Sequence, residues 1–92
     1  MDSVFEEIKG IAIMSKEKLI NLIEMIKKEK IISKKELKRK IMQMLIRNND
    51  IRKINGLTAS LLDGNADNLK DKDVESLLVA INDLYIDIKN KL

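Results

Sequence analysis

The sequence predicts an all-α fold, an antiparallel bundle of three to four helices that forms a single domain over residues 1–92. Apolar residues recur at alternating spacings of three and four, which is the periodicity of a helix with one buried face. Proline is absent and only three glycines occur, so helix breakers and the turn residues of a sheet are both scarce. A chain of this length also supplies too little apolar surface for two independent cores.

The first helix is expected to run from about residue 3 to residue 30. Ser3 and Glu6 form a capping box ahead of the apolar run. An alternative division starts a second helix at Ser15, because Gly10 weakens the first one. The stripe passes through Ser15 without a break, which favours a single helix. Its positions are Phe5, Ile8, Ala12, Ser15, Leu19, Leu22 and Ile26.

A second helix is predicted over about residues 34–48, after a tight turn. Ser33 and Glu36 form a second capping box, and Ile32 is placed to pack against Leu37 as a hydrophobic staple. Two long helices joined by so short a connection are most easily laid antiparallel.

The middle of the chain allows two interpretations. The apolar stripe is interrupted at Asn48-Asn49-Asp50, so residues 51–63 either form a separate helix or continue the second one. Asp50 could cap a short helix that ends at Asn55-Gly56. Asp63-Gly64-Asn65 is a firmer stop, because Gly and Asn tolerate the left-handed backbone that ends helices.

The last helix is predicted over residues 73–91, after a polar loop in which Leu69 is turned inward. Asp71 or Asp73 is expected to cap it, and acidic residues in a first turn suit the helix dipole. An unbroken apolar face follows at Val74, Leu77, Leu78, Ile81, Leu84, Tyr85, Ile88 and Leu92.

No set of residues has the pattern of an active site, so we expect a protein that is not an enzyme and has no cofactor, metal site or small-molecule substrate. Cysteine and histidine are absent, which removes the usual nucleophile, general base and soft metal ligands. The acidic residues after Asp63 do not follow a calcium loop, because its sixth position is Asn68 and its twelfth is Val74. Capping and solubility explain them better.

Neither a membrane span nor a signal peptide is expected. No stretch free of charged residues approaches the roughly 20 residues that cross a bilayer. The first residues include Glu6 and Glu7, where a signal peptide carries basic residues. We therefore expect a cytoplasmic protein with no membrane partner.

Positive charge is concentrated between residues 27 and 53. This segment has eleven basic and three acidic residues, a net charge of +8, whereas residues 1–26 carry −2 and residues 54–92 carry −3. The sequence predicts a basic cap at the first turn. The cap either contacts phosphates or an acidic partner or, as we favour, is a solvated surface whose lysine stems cover the core. The candidate contacts are Lys27, Lys28, Lys30, Lys34, Lys35, Lys38 and Arg39.

Two further features concern assembly. Asn48 and Asn55 fall on an otherwise apolar seam, where a buried Asn would fix register or oligomeric state; a helix break at this point is the alternative. Four methionines at helical spacing either fill the core, which we favour, or line an adaptable groove. They are Met14, Met25, Met42 and Met44.

The sequence favours a non-enzymatic protein–protein interaction module, regulatory or assembling, with a protein partner or a second copy in a homodimer. Five apolar residues lie off the main stripes and are suited to a second contact face: Ile13, Ile20, Ile46, Val79 and Ile86.

The alternative function is a nucleic-acid-associated regulator that uses residues 27–53. Fifteen of the eighteen basic residues are lysine, which suits phosphate contacts better than base recognition. Residues 19–41 resemble the first two helices of a winged-helix domain, a resemblance that implies a recognition helix and a β-wing. The rest of the sequence shows neither a clear recognition helix nor the alternating pattern with a glycine turn that a wing needs.

Overall fold

The computed structural model describes the backbone of residues 2–91 and the side chains of residues 15–91. Within this part of the chain it contains four helices and no strand. The helices are α1 (Asp2–Glu29), α2 (Lys34–Leu45), α3 (Ile51–Leu62) and α4 (Asp71–Lys91). The predicted all-α bundle is confirmed. Of the two alternatives for the middle of the chain, the one with a separate third helix is correct, and the described residues form no β-wing.

Helix α1 is continuous through Ser15, so the alternative that begins a second helix there is wrong. The predicted capping box at Ser3 and Glu6 concerns side chains outside the described ones. From Leu19 onward the buried face of α1 is formed by Leu19, Ile23 and Ile26.

Helix α1 ends in a left-handed residue that is not glycine. Lys30 has φ 53°, its N–H donates to the Lys27 carbonyl, and the Ile31 N–H donates to the Ile26 carbonyl, both at 3.3 Å. This pair of bonds is the Schellman motif, whose left-handed position is usually occupied by glycine because a Cβ is strained there. The turn into α2 therefore stores a small backbone strain.

One of the two hydrogen bonds of the predicted capping box forms at the start of α2. The Glu36 N–H donates to Ser33 Oγ at 3.1 Å, as expected. The Glu36 carboxylate does not return to the Ser33 N–H but accepts hydrogen bonds from Arg39 one turn later. A nearby guanidinium thus competes successfully for the carboxylate.

Helix α2 ends at Leu45, three residues earlier than predicted, and Asp50 caps α3. The Arg52 N–H donates to Asp50 Oδ1 at 3.0 Å. Helix α3 passes through Asn55-Gly56, so the predicted short helix ending there is wrong. It stops before Asp63-Gly64-Asn65 as predicted, with Gly64 at φ 92° and the Asn65 N–H donating to the Ser60 carbonyl at 2.9 Å.

Helix α4 begins at Asp71, two residues earlier than predicted, and Asp73 lies inside its first turn rather than at its cap. Asp73 is 3% exposed, and its carboxylate accepts hydrogen bonds from Asn48 Nδ2 at 3.2 Å and Asn49 Nδ2 at 2.9 Å. This polar cluster ties the α2–α3 turn to the start of α4. In the preceding loop Leu69 is buried, which confirms its predicted position.

Contacts at the helix ends give the helix directions. The Asn49–Asp73 bond places the start of α4 beside the end of α2, and Lys40 and Leu84 line one cavity farther along both helices, so the two run in opposite directions. At the other end, Tyr85 Oη donates to Glu29 at 3.2 Å, and Lys27 Nζ donates to the Leu62 carbonyl at 2.8 Å. Consecutive helices α1–α2 and α2–α3 are therefore antiparallel, as expected, whereas residues 63–70 carry the chain back so that α4 runs parallel to α1.

All four helices and the loop before α4 contribute to one hydrophobic core. The buried residues are Leu19, Ile23, Ile26, Leu37, Ile41, Leu45, Ile54, Leu61, Leu62, Ala66, Leu69, Val74, Leu77 and Ile81. Among the described side chains, Thr58 is the one hydroxyl-bearing residue buried with them, and its Oγ1 has no hydrogen-bond partner there.

Candidate interaction surface

A groove between α2 and α3, the α2–α3 groove, combines exposed apolar side chains with cationic ones. It encloses about 630 Å³. Its lining residues are Lys35, Lys38, Arg39, Met42, Gln43, Ile46, Ile51, Ile54 and Asn55. Because α2 and α3 are antiparallel, Ile46 lies opposite Ile51 at the end next to the α2–α3 turn.

The floor of the groove is apolar and its open end is exposed. Ile54 is buried and Met42 is half-buried, so these two side chains form the base. Ile46 is 53% exposed and Ile51 is 70% exposed, one on each side of the turn. Exposed aliphatic side chains gain about 25 cal/mol for each Å² that a partner covers. The apolar end of the groove is therefore well suited to docking.

The charge of the groove lies on its α2 side. Lys35 and Lys38 are exposed there, and no acidic partner lies within ion-pair distance of either among the described side chains. Arg39 is engaged by Glu36, a contact that lowers the pKa of Glu36 and raises the pKa of Arg39. The α3 side carries uncharged Asn55. The groove thus presents a one-sided positive rim.

The seven predicted anion contacts do not all line one cavity. Lys35, Lys38 and Arg39 border the α2–α3 groove. Lys27, Lys30 and Lys34 line a second cavity, of about 500 Å³, beside the α1–α2 turn. Lys27 is half-buried and its ammonium is used within the fold, where it donates to the Leu62 carbonyl at 2.8 Å and pairs with Glu24 at 3.5 Å. Lys28 is exposed on α1. Contact of these residues with an anion stays a prediction.

The two seam asparagines have different positions. Asn48 is an exposed turn residue whose amide holds Asp73, so it fixes α4 against the α2–α3 turn. Asn55 is exposed at the rim of the groove. Neither is buried between helices of this chain, and a role in oligomeric state stays a prediction.

The apolar residues outside the predicted stripes divide into three groups. Ile46, Val79 and Ile86 are exposed, Ile20 packs against the core, and the Ile13 side chain lies outside the described ones. Among the methionines, Met25 is 42% exposed, and Met42 and Met44 pack against the core while also lining grooves; Met14 lies outside the described side chains. Met42 and Met44 thus help to fill the core as favoured, and their use in an adaptable binding groove stays a prediction.

Sequence reasoning missed Ile51, the most exposed apolar residue of the groove. The sequence did contain a signal for the exposure of Ile51. Ile51 directly follows the cap residue Asp50, so it lies in the first turn of α3, ahead of Ile54, the first buried residue of that helix. Once Asp50 is known to cap α3, Ile46 and Ile51 are the last and first apolar residues on either side of a turn.

The described residues contain neither a metal-binding cluster nor a membrane span. No group of three or more Asp or Glu side chains there is arranged to hold a metal ion. No helix in this part of the chain contains a long enough apolar stretch to cross a bilayer.

The chain matches none of the family models, curated proteins or solved structures with which it was compared.

Proposed function

We propose that this protein is a non-catalytic protein-interaction module, regulatory or assembling, whose docking surface is the α2–α3 groove. The pair Ile46 and Ile51, exposed side by side above an apolar floor, carries the proposal. Exposed apolar surface that is contiguous and rimmed by polar residues is typical of a site that a partner covers.

The composition supports the non-enzymatic part of the proposal. Without His or Cys, the serines and carboxylates of this chain lack the group that usually activates a nucleophile or transfers a proton. A surface that binds by shape and charge needs no such group. A cytoplasmic location belongs to the same proposal.

A protein partner is favoured over a nucleic acid by the character of the groove. Phosphate backbones are bound by cations and polar groups, and an exposed aliphatic pair adds little to such contacts. Here Lys35 and Lys38 border an apolar floor instead of a polar one.

Affinity capture from cells that express the protein natively tests the proposal. The baits are the wild type, the groove variants Ile46→Ser and Ile51→Ser, and the control variant Ile86→Ser, which truncates an exposed residue of α4. All three substitutions change exposed side chains, so thermal unfolding is expected to shift little. Extracts are treated with nuclease, captured proteins are identified by mass spectrometry, and binding is measured again with the purified partner.

We expect a protein that binds the wild type and Ile86→Ser but not the groove variants. If the partner is a second copy of the chain, light scattering should show a dimer for the wild type and a monomer for the groove variants. Three results would refute the proposal. The partner could bind the groove variants as well as the wild type, nuclease could abolish the binding, or the wild type could capture nothing beyond what the groove variants capture.

A further inference from the structure

We infer that the occupant of the α2–α3 groove is an amphipathic helix of about three turns that carries acidic residues beside its apolar stripe. The inference rests on the proposed function and names the partner's chemistry. It follows from the length of the groove, from the position of its apolar end and from the side on which its charge lies.

The length of the groove matches a short helix. Helices α2 and α3 have 12 residues each, which corresponds to about 18 Å at 1.5 Å per residue. A partner helix that fills this length therefore has about 12 residues. Helices bind in such grooves by inserting apolar side chains at spacings of three and four.

The groove is apolar at one end and cationic at the other. Ile46 and Ile51 lie at the end next to the α2–α3 turn, and Met42 lies one helical turn along α2 from Ile46. Lys38 and Lys35 follow at one further turn each, toward the start of α2. An occupant thus needs apolar residues at one end and negative charge at the other.

The one-sided rim orients the occupant. The α2 rim carries Lys35 and Lys38, whereas the facing α3 rim exposes the uncharged Asn55. A partner helix with acidic residues on a single flank would place them beside Lys35 and Lys38. Its C-terminal end, where the helix dipole is negative, is expected to lie toward Lys35 and Lys38.

A second copy of the chain placed groove to groove is disfavoured by charge. That arrangement would bring the Lys35 and Lys38 side chains of both copies together, and like charges across an interface oppose association.

A pair of designed peptides tests the inference against the full chain. Each is a 14-residue hydrocarbon-stapled helix with three apolar residues at alternating spacings of three and four. One carries three Glu on the flank of this stripe toward its C-terminus, and the other carries Lys at the same three positions. Affinities are measured by calorimetry at low and high salt, and the binding site is located by NMR chemical shifts of the labelled protein.

We expect the Glu peptide to shift the resonances of Met42, Ile46 and Ile51 and to bind at least tenfold more tightly than the Lys peptide at low salt, a preference that salt reduces. Ile51→Asp should weaken binding at least tenfold, and the matched control Ile86→Asp should leave it unchanged. The double variant Lys35→Glu/Lys38→Glu should reverse the preference between the peptides. A reversed preference would show a charge contact, because a variant that had merely lost its fold would bind neither peptide.

Three outcomes overturn the inference: no binding of the Glu peptide at millimolar concentration, equal affinity for both peptides, or shifts confined to residues outside the groove. In each case the proposed function is still judged separately by the capture experiment. A partner lost from Ile46→Ser and Ile51→Ser would uphold the groove and discard only the acidic helix. A nucleic acid or a second copy found in the groove would likewise discard it.

Discussion

Replacing Asp73 by alanine should destabilise the protein far more than the loss of an acidic residue from a first turn ordinarily does. The carboxylate is 3% exposed and accepts hydrogen bonds from Asn48 and Asn49 at 3.2 and 2.9 Å. Hydrogen bonds to a charged group contribute about 1.5–3 kcal/mol each. Asn49 keeps its second bond, to the Leu45 carbonyl at 2.9 Å, and Asn48 is exposed enough to be hydrated, so the two losses are not fully additive. We expect the free energy of unfolding to fall by about 2–4 kcal/mol.

Urea unfolding followed by circular dichroism measures this loss, and thermal unfolding should show a decrease in Tm of ~10 °C or more. Asp71→Ala is the matched control, because it removes the same residue type from the same first turn at an exposed position. It loses the interaction with the helix dipole alone, about 0.3–1 kcal/mol. Equal losses in the two variants would show that the asparagine contacts contribute nothing and would refute the reasoning.

Three smaller predictions concern stability. Thr58→Val should raise the free energy of unfolding by about 1 kcal/mol, because it removes a buried hydroxyl without a partner and keeps the β-branch; a lower urea midpoint would mean that the hydroxyl is satisfied. Lys30→Gly should also stabilise the protein by about 1 kcal/mol by relieving the left-handed strain, whereas Lys30→Ala, which keeps a Cβ, should not. The Arg52 side chain and N–H hold the pKa of Asp50 below its ordinary value of 3.8, so Asp50 stabilises the fold above that value and the contribution is lost as pH falls through the lower folded pKa. Asp50→Asn keeps a cap, and its stability should therefore depend less on pH in this acidic range than that of the wild type; identical pH profiles would contradict the assignment.

The fold was predictable where short-range signals agree. Ser33 before Glu36 and Gly64 between Asp63 and Asn65 act within one turn of the backbone, so the sequence pattern determines the local structure there. The seam of α4 was equally regular. Long-range contacts decided the remainder, because the end of α2 and the start of α4 are set together by the Asn49–Asp73 bond, which joins residues 24 positions apart.

The candidate site was predictable only in part. The charge of Lys35 and Lys38 was evident from composition alone, but the neighbouring Lys27 is taken up by the Leu62 carbonyl, which no local pattern reveals. The apolar half of the groove depends on Ile46 and Ile51 being brought together by the α2–α3 turn. Such a surface exists only once the crossing of the two helices is known.

The polar cluster around Asp73 has a consequence for recognition. It fixes the turn that carries Ile46 and Ile51 on its two sides, so their separation is set before any partner arrives. A binder that meets a rigid pair of anchors does not lose affinity to the ordering of a loop. Loosening the turn should thus slow the association of a partner and shorten the lifetime of the complex, even though no groove residue is altered. The hydrogen bonds between the turn and α4 therefore help to determine affinity although they lie outside the contact itself.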